Sequence, residues 1–439
     1  MSFLPNPDLV ALEAEATALD GSDPAGFRDS FIVPRANVTG TGEAEVAYFA
    51  GNSLGLQPKS AVVAINEVLA SWATRVVAGH FTGEYPWSQM AEKLADPMAR
   101  ILGAHSNEVI VMNTLTINLH VLLAAFYRPT GTRTKIVIES GAFPSDDYAV
   151  ASQARLHGLD PNDTIVRVSP RAGEHLLRTE DILRTLSELN DSVAVVLLPG
   201  VNFRTGQFLD IPTITAETQR IGAYAIWDLA HAAGNVPLDL HAWNVDAAAW
   251  CNYKYLNAGP GAIGGAFIHD RHVNRTDLVR LTGWWGNDPA TRFAMAQDVE
   301  FADAAPGWQT SNPPILSLVP IRSALEQFDA AGGVSALRKR SIRLTGYFES
   351  LVDRLMPTHS LSIITPRSPA ERGAQLSLLI DDAVHITERL ISEFDVVPDE
   401  RPPNIVRFAP IPLYSSYRDC WRAACALAAV VPKRAGVDT

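Results

Sequence analysis

Lys254 leaves a small-residue run, Val245 to Trp250, and enters the glycine-rich turn Gly259-Pro260-Gly261, where a buried strand ends and the backbone becomes exposed. A desolvated amine there loses part of its preference for the charged state and becomes a better nucleophile. A lysine whose stem snorkels along a strand end is the alternative. Asp228, in Ile226-Trp227-Asp228-Leu229-Ala230-His231, stands 26 positions earlier, at the C-terminal end of another expected core strand. Ligands of open α/β sheets bind at that end.

A lysine and a carboxylate so placed are the pair that pyridoxal phosphate needs. The amine forms a Schiff base, and the carboxylate keeps the ring nitrogen protonated so that the ring accepts electrons. Asp228 fits a helix N-cap equally well. Thr114, Leu115 and Thr116 precede the apolar run Leu119 to Phe126, so hydroxyls and free N–H groups can converge there on an anion, or a threonine can cap the helix. Phe143-Pro144-Ser145-Asp146 follows the run Lys135 to Ile138 and offers an aromatic face and a second carboxylate at the same sheet edge, or an ordinary turn.

Three familiar patterns compete with this constellation. Gly259-Pro260-Gly261-Ala262-Ile263-Gly264 matches a dinucleotide fingerprint, but it leads into a strand-like run instead of opening a helix. Gly51-Asn52-Ser53-Leu54-Gly55 matches a nucleophile elbow after a short strand at Tyr48 to Ala50, yet Leu56-Gln57-Pro58 follows where a helix should begin. A serine hydrolase built on Ser53 is therefore a rival reading. His269-x-x-His272 stands without further ligand pattern, so the two are read as solvated surface histidines and no metal is expected.

The elements that must hold these residues alternate. An acidic helix over about Pro7 to Leu19 and a loop reaching residue 45 come first, and an amphipathic helix follows Pro58. Residues 90 to 130 read as helical. Short β-branched runs at Lys135-Ile138, Thr164-Val168, Val193-Leu198, Tyr224-Trp227 and Val245-Trp250 alternate with helical segments, the signature of a parallel sheet covered on both faces. Gly264-Ile268 follows so closely that it must return as an antiparallel strand. A long helix over Ile315 to Phe348 leads to a smaller α+β lobe, with strands at Leu361-Ile364, Gln375-Ile380 and Asn404-Ala409 around helices near 383–394 and 415–430.

The net charge of −12 argues against nucleic-acid and anionic-membrane surfaces, leaving small solutes as partners. Cys251, Cys420 and Cys425, an odd number at no zinc-like spacing, fit a reducing compartment. No basic region followed by an apolar run opens the chain and no stretch approaches about eighteen consecutive apolar residues, so a cytoplasmic location is expected.

Longer stretches carry a resemblance. Phe49 to Pro58, Met112 to His120, Ala142 to Tyr148, Thr205-Gly206-Gln207, Asp228 to Asn235, Trp250 to Gly261, Gly283-Trp284-Trp285-Gly286, Ser311-Asn312-Pro313-Pro314 and Arg407 to Leu413 together resemble the kynureninase family over nearly the whole chain. The resemblance implies an α/β protein of the pyridoxal-phosphate fold type I, with a mainly parallel seven-stranded sheet and a smaller α+β domain. Residues 1–50 would form an N-terminal arm or small-domain segment, 51–315 the large domain and 316–439 the small one. It implies hydrolysis of the Cβ–Cγ bond of L-kynurenine or 3-hydroxy-L-kynurenine to an anthranilate and alanine.

By that resemblance Lys254 carries the cofactor, Asp228 faces its ring nitrogen and Phe143 stacks on it. Pro144, Ser145, Asp146 and His231 belong to the same shell, and Leu115, Thr116 and Tyr253 hold the phosphate. Tyr253 is either a phosphate ligand alone or also a proton donor. Trp284 and Asn312 match positions supplied by a neighbouring subunit, implying a homodimer with shared sites. Arg407 clamps the substrate carboxylate, and Ser53 is a further substrate-binding residue. His80, Ser311 and Asn312 match the set that favours the 3-hydroxy substrate.

Asn287, Leu198-Pro199-Gly200 and Arg204 depart from the family pattern, which leaves a ring-methylated substrate open. Another fold type I enzyme, an aminotransferase or a cysteine desulfurase, is the nearest rival.

Overall fold

The computed structural model describes residues 7–35 and 44–434; part of the expected N-terminal loop, residues 36–43, lies outside them. Seven strands build the central sheet: β1 (Val109–Val111), β2 (Lys135–Glu139), β3 (Ile165–Val168), β4 (Val193–Pro199), β5 (Tyr224–Asp228), β6 (Ala247–Cys251) and β7 (Gly264–Ile268). Their order is β1-β7-β6-β5-β4-β2-β3. From β3 across to β6 every pairing is parallel, while β7 is antiparallel to both β6 and β1. The expected antiparallel return after β6 is thus borne out.

Consecutive residues of β2, β4, β5 and β6 are buried, as they must be when both faces of a sheet are covered. Ile136, Val137 and Ile138 are at most 1% exposed, each contributing roughly 1.5–3 kcal/mol of apolar burial. Trp250 fixes the strand end that precedes Lys254. Its indole Nε1 donates to Asn252 Oδ1 (3.0 Å), and its ring lies where a Cβ on Gly265 would come within 2.2 Å. Only glycine lets β7 pass that close.

The chain also corrects three expectations. Val109–Val111 is a strand inside the stretch read as helical; with three residues at a sheet edge, its apolar run cannot be told from a helix turn by periodicity. Instead of one helix over Ile315 to Phe348 there are two, Ile315–Ala330 and Gly333–Leu355, because Gly332 and Gly333 take φ of 82° and 79° and end the first. His269 and His272 are buried, not solvated. They point apart, His272 to Asp246 (2.7 Å) and His269 to Asp270 (2.7 Å).

A second sheet, β8 (Leu361–Ile363), β9 (Leu376–Ile380), β10 (Asp399–Arg401) and β11 (Ile405–Phe408), is antiparallel in the order β8-β9-β11-β10. Its core joins the helices Gly333–Leu355, Ala383–Phe394 and Tyr417–Val430 and includes Leu12 and Ala16 of the N-terminal helix Pro7–Ser22. Ala47–Tyr48 pairs in parallel with Val396–Val397, so early chain and C-terminal lobe share one core. Among the described residues one helical stretch, Lys59–His80, is long and apolar enough to cross a membrane, with mean hydropathy 1.4 and 17% of that window buried.

Candidate active site

Four strand ends meet at one cavity. β5 ends in Asp228, β6 leads to Tyr253 and Lys254, the loop after β2 carries Phe143, and the helix Leu115–Phe126 after β1 opens with Leu115 and Thr116. A cavity of about 100 Å³ is lined by Leu115, Thr116, Phe143, Ser145, Asp146, Asp228, His231, Tyr253 and Lys254, with Glu139, Pro199, Val201, Phe203 and Ala230 completing its wall.

Lys254 Nζ lies 2.9 Å from His231 Nε2 and 5.9 Å from the centre of the Phe143 ring. Burial holds His231 well below the usual imidazole range, and the nearby Lys254, Arg407 and Arg401 cations push the same way. A neutral His231 accepts from the lysine at Nε2 and carries its own proton on Nδ1, an atom with no partner. Burial also raises the Tyr253 hydroxyl, so that side chain stays a proton donor. The snorkelling alternative for Lys254 fails on these contacts.

Asp228 accepts the Ala230 N–H at Oδ1 (2.7 Å) within a turn, no helix following for it to cap as the alternative expected, and also meets Asp146. Burial raises both carboxyls, Asp146 the further because Asp228 and Glu139 crowd it; the Lys254 ammonium draws Asp228 back toward ionisation. Glu139, which the sequence reading missed, is raised by burial to about 8, and the Asn202 amide donates to its Oε2 (2.8 Å). One lysine among three buried carboxyls leaves the negative charge on Asp228, with protons held by Glu139 and Asp146.

Because the fold holds the Glu139 proton, the folded state binds more protons than the unfolded chain between pH 4.5 and about 8. Stability from this group is full below that window and is lost as pH rises through it, by up to about 1.4 kcal/mol per pH unit. Glu139→Gln in the cofactor-free protein is expected to flatten the fall of Tm between pH 6 and 8.5. A slope equal to the wild type's would place the titration elsewhere.

Thr114 makes no side-chain cap bond at the start of Leu115–Phe126, so the first N–H groups of that helix are not taken by a capping hydroxyl. Gly264 leaves room beside them, since a Cβ there would lie 3.3 Å from Leu115 N. Phe143 opens the helix Pro144–Leu156, with Pro144 at N1, and meets Phe203 edge-on at 5.4 Å.

The Ser53 turn packs on the lysine turn. Gly55 N donates to Tyr253 O (2.8 Å), and a Cβ on Gly55 would come within 2.6 Å of Lys254 O. That close approach explains the glycine that mimicked a nucleophile elbow. Among the described residues Ser53 is hydrogen-bonded to no histidine: it meets Asp399, Arg401 Nη2 (3.0 Å) and Arg407 Nη2 (2.9 Å). Arg407, fully buried on β11, donates through Nη1 to Phe203 O (2.6 Å) behind the cavity wall and bonds Asp399; its Nε has no partner. Arg401 donates to Asp399 Oδ1 (2.6 Å), so two guanidinium groups share one carboxylate.

His80, Trp284, Ser311 and Asn312 do not reach the cavity within one chain. They gather on another surface: His80 meets Phe81, Phe81 lies 5.5 Å from Phe293, Phe293 lies 5.8 Å from Trp284, and Trp285 N bonds Thr310 O beside exposed Ser311 and Asn312. Of the departing residues, Pro199 lines the cavity, Arg204 is exposed and Asn287 is tied to Trp284 O and Glu300 N. Cys251 and Cys420 are buried and Cys425 half-buried, which denies a desulfurase its mobile cysteine.

Sequence comparisons agree with this geometry. Residues 337–427 match the family model "Kynureninase C-terminal domain". A kynureninase of Salinispora tropica is 52% identical, covering 97% of this chain and 98% of its own length. One of Myxococcus xanthus is 48% identical over 93% and 95%. Among solved structures the cystine C–S lyase C-DES is 17% identical with a TM-score of 0.75, covering 90% of this chain and 100% of that one, and a C-DES mutant has been solved with glycine covalently linked to its PLP cofactor. At that identity the likeness establishes the fold, the expected type I architecture.

Proposed function

The chain belongs to the kynureninase family, and on that premise we propose that it hydrolyses the Cβ–Cγ bond of an L-kynurenine with pyridoxal phosphate carried on Lys254. The single observation that carries this reading is the convergence of Lys254, Asp228, Asp146 and Phe143 on one cavity at the strand ends. The residues fit the cofactor. His231 Nδ1 and Asp146 Oδ1 are buried polar atoms without partners at the cavity, and such atoms call for a polar group to meet them. The uncapped N–H groups at Leu115 and Thr116 suit a phosphate, and the Phe143 face suits an aromatic ring.

When bound, pyridoxal phosphate supplies an electron sink for charge developing on the substrate carbons. Asp228 would keep the ring nitrogen of the bound cofactor protonated, and neutral Asp146 and Glu139 would leave that charge undiluted. Lys254 would carry the cofactor and, as a free amine, would be the base placed to move the Cα proton, with neutral His231 accepting its hydrogen bond. Water adds at the γ-carbonyl. The Cβ–Cγ bond breaks, the oxygen from water stays on the aryl acid, and Cβ takes a proton to give alanine. Tyr253 is a phosphate ligand and, in the fuller version, the donor of that proton. Arg407 and Ser53 receive the substrate carboxylate; Arg407 has a free buried Nε for it, and its planar fork suits a carboxylate.

The 3-hydroxy substrate is the preferred one, since His80, Ser311 and Asn312 give a polar set that penalises a ring lacking the hydroxyl. Measured with both substrates, kcat/KM should be at least about tenfold higher for 3-hydroxykynurenine. A clear advantage for plain kynurenine contradicts the preference.

Those residues and Trp284 come from a second copy of the chain. The apolar helix Lys59–Arg75 supports this by exposing Val62, Val63, Leu69 and Trp72, continued by Val76, Val77 and Phe81, a strip of the kind that marks an interaction site. Co-expressing Lys254→Ala with Trp284→Ala chains should restore about one quarter of wild-type activity, because half of randomly mixed dimers hold one intact site of two. No restoration would mean that each chain completes its own site.

A further inference from the structure

The end of the central sheet remote from Lys254 carries a second group of chemically able side chains. β6 runs from Ala247 toward Lys254, and β7 returns from Gly264, opposite Cys251, to Ile268, opposite Ala247. The segment after Ile268 therefore lies a strand length away from the cavity, roughly 16 Å. Three separate segments meet there: the 3-10 turn Ser106–Glu108 with His105 before it, the loop holding His241, and His269 with Asp270 at the start of the short helix Asp270–Val273.

Glu108 is the base of the group. Its carboxylate is fully buried and accepts His105 N (2.8 Å) at one oxygen and Asp270 N (2.9 Å) at the other, which also lies 2.9 Å from His241 Nδ1. A second carboxylate, Asp270, is held 2.7 Å from His269 Nδ1. The rings of His105 and His241 lie 3.8 Å apart, centre to centre. One ligand atom each from His105, Glu108, His241 and Asp270 falls within 4.8 Å of all the others.

We propose that this cluster is a binding site for a divalent transition cation of the zinc class, with His105, His241 and Asp270 as ligands over the buried Glu108 carboxylate. Imidazoles mixed with carboxylates select zinc, cobalt or nickel over calcium and magnesium, which take oxygen ligands. A carboxylate beneath a histidine is the arrangement that orients such ligands. Tetrahedral zinc with N and O bonds of about 2.0–2.2 Å draws its donors to roughly 3.3–3.5 Å from one another. The present spread closes by rotation of His105 and Asp270, both solvent-exposed, which also gives the cation its entry path. Bound there, it ties the three segments together far from the catalytic cavity.

The test uses the chelator-treated, cofactor-loaded protein. Zinc titrated by calorimetry, with cobalt absorbance as a second probe, should show one site per chain that raises Tm. His105→Ala, which removes an exposed side chain, should weaken that site at least tenfold, and His241→Ala should do the same, with the cofactor spectrum of both unchanged. No uptake by the wild type at about 100 μM zinc, or uptake equal in wild type and both variants, would overturn the proposal.

Discussion

Lys254→Ala is expected to lower kcat by at least about 10³-fold while the protein folds as before. The substitution removes two things together: the amine that holds the cofactor covalently and the base that moves the Cα proton. The loss is catalytic because little of the fold rests on this side chain. The Lys254 turn is kept by backbone bonds, Gly55 N to Tyr253 O and Asn257 N to Lys254 O, which alanine retains. Single-turnover kinetics beside a denaturant melt check the claim; activity within tenfold of wild type would remove Lys254 from its role.

Asp228→Asn is the second large effect, about 10²–10⁴ in kcat/KM. An asparagine keeps the shape and the acceptor for Ala230 N–H, so the turn after β5 survives, but it no longer holds a proton on the ring nitrogen. The same change removes the charge that helps to raise Glu139 and Asp146. Without cofactor the variant should therefore be more stable than the wild type at neutral pH, function and stability moving in opposite directions. Thermal melts and steady-state kinetics on one preparation test both halves. An equally active variant, or one destabilised by several degrees, contradicts the assignment of charge among the three carboxyls.

The sheet was legible because its strands are buried on both faces and so stand out as short β-branched runs between helical segments. Val109–Val111 and Asp399–Arg401 were not: each is a three-residue strand that exists through its pairing, the first with β7 far along the chain and the second with the adjacent β11 as a short polar hairpin arm. The same limit hid part of the site. Asp228 was found from its place at a strand end, and the same rule would have found Glu139, the last residue of β2, had it been applied to that run. Asp399 and Arg401 gave no local signal, since their meaning lies in a cross-strand pairing with Arg407 and in bonds to Ser53, a turn residue more than three hundred positions earlier in the chain. Ser53 had the right motif for the wrong reason. Its glycine neighbour serves a close approach to the Lys254 backbone, and its hydroxyl sits in an arginine cluster.

The most direct test of the central claim is to reduce the purified, cofactor-loaded protein with borohydride and to map the modified lysine by peptide mass spectrometry. The expected result is loss of the visible cofactor band with one pyridoxyl group per chain, on Lys254 alone. Absence of a cofactor band, or stable labelling at another lysine with Lys254 unmodified, would contradict it.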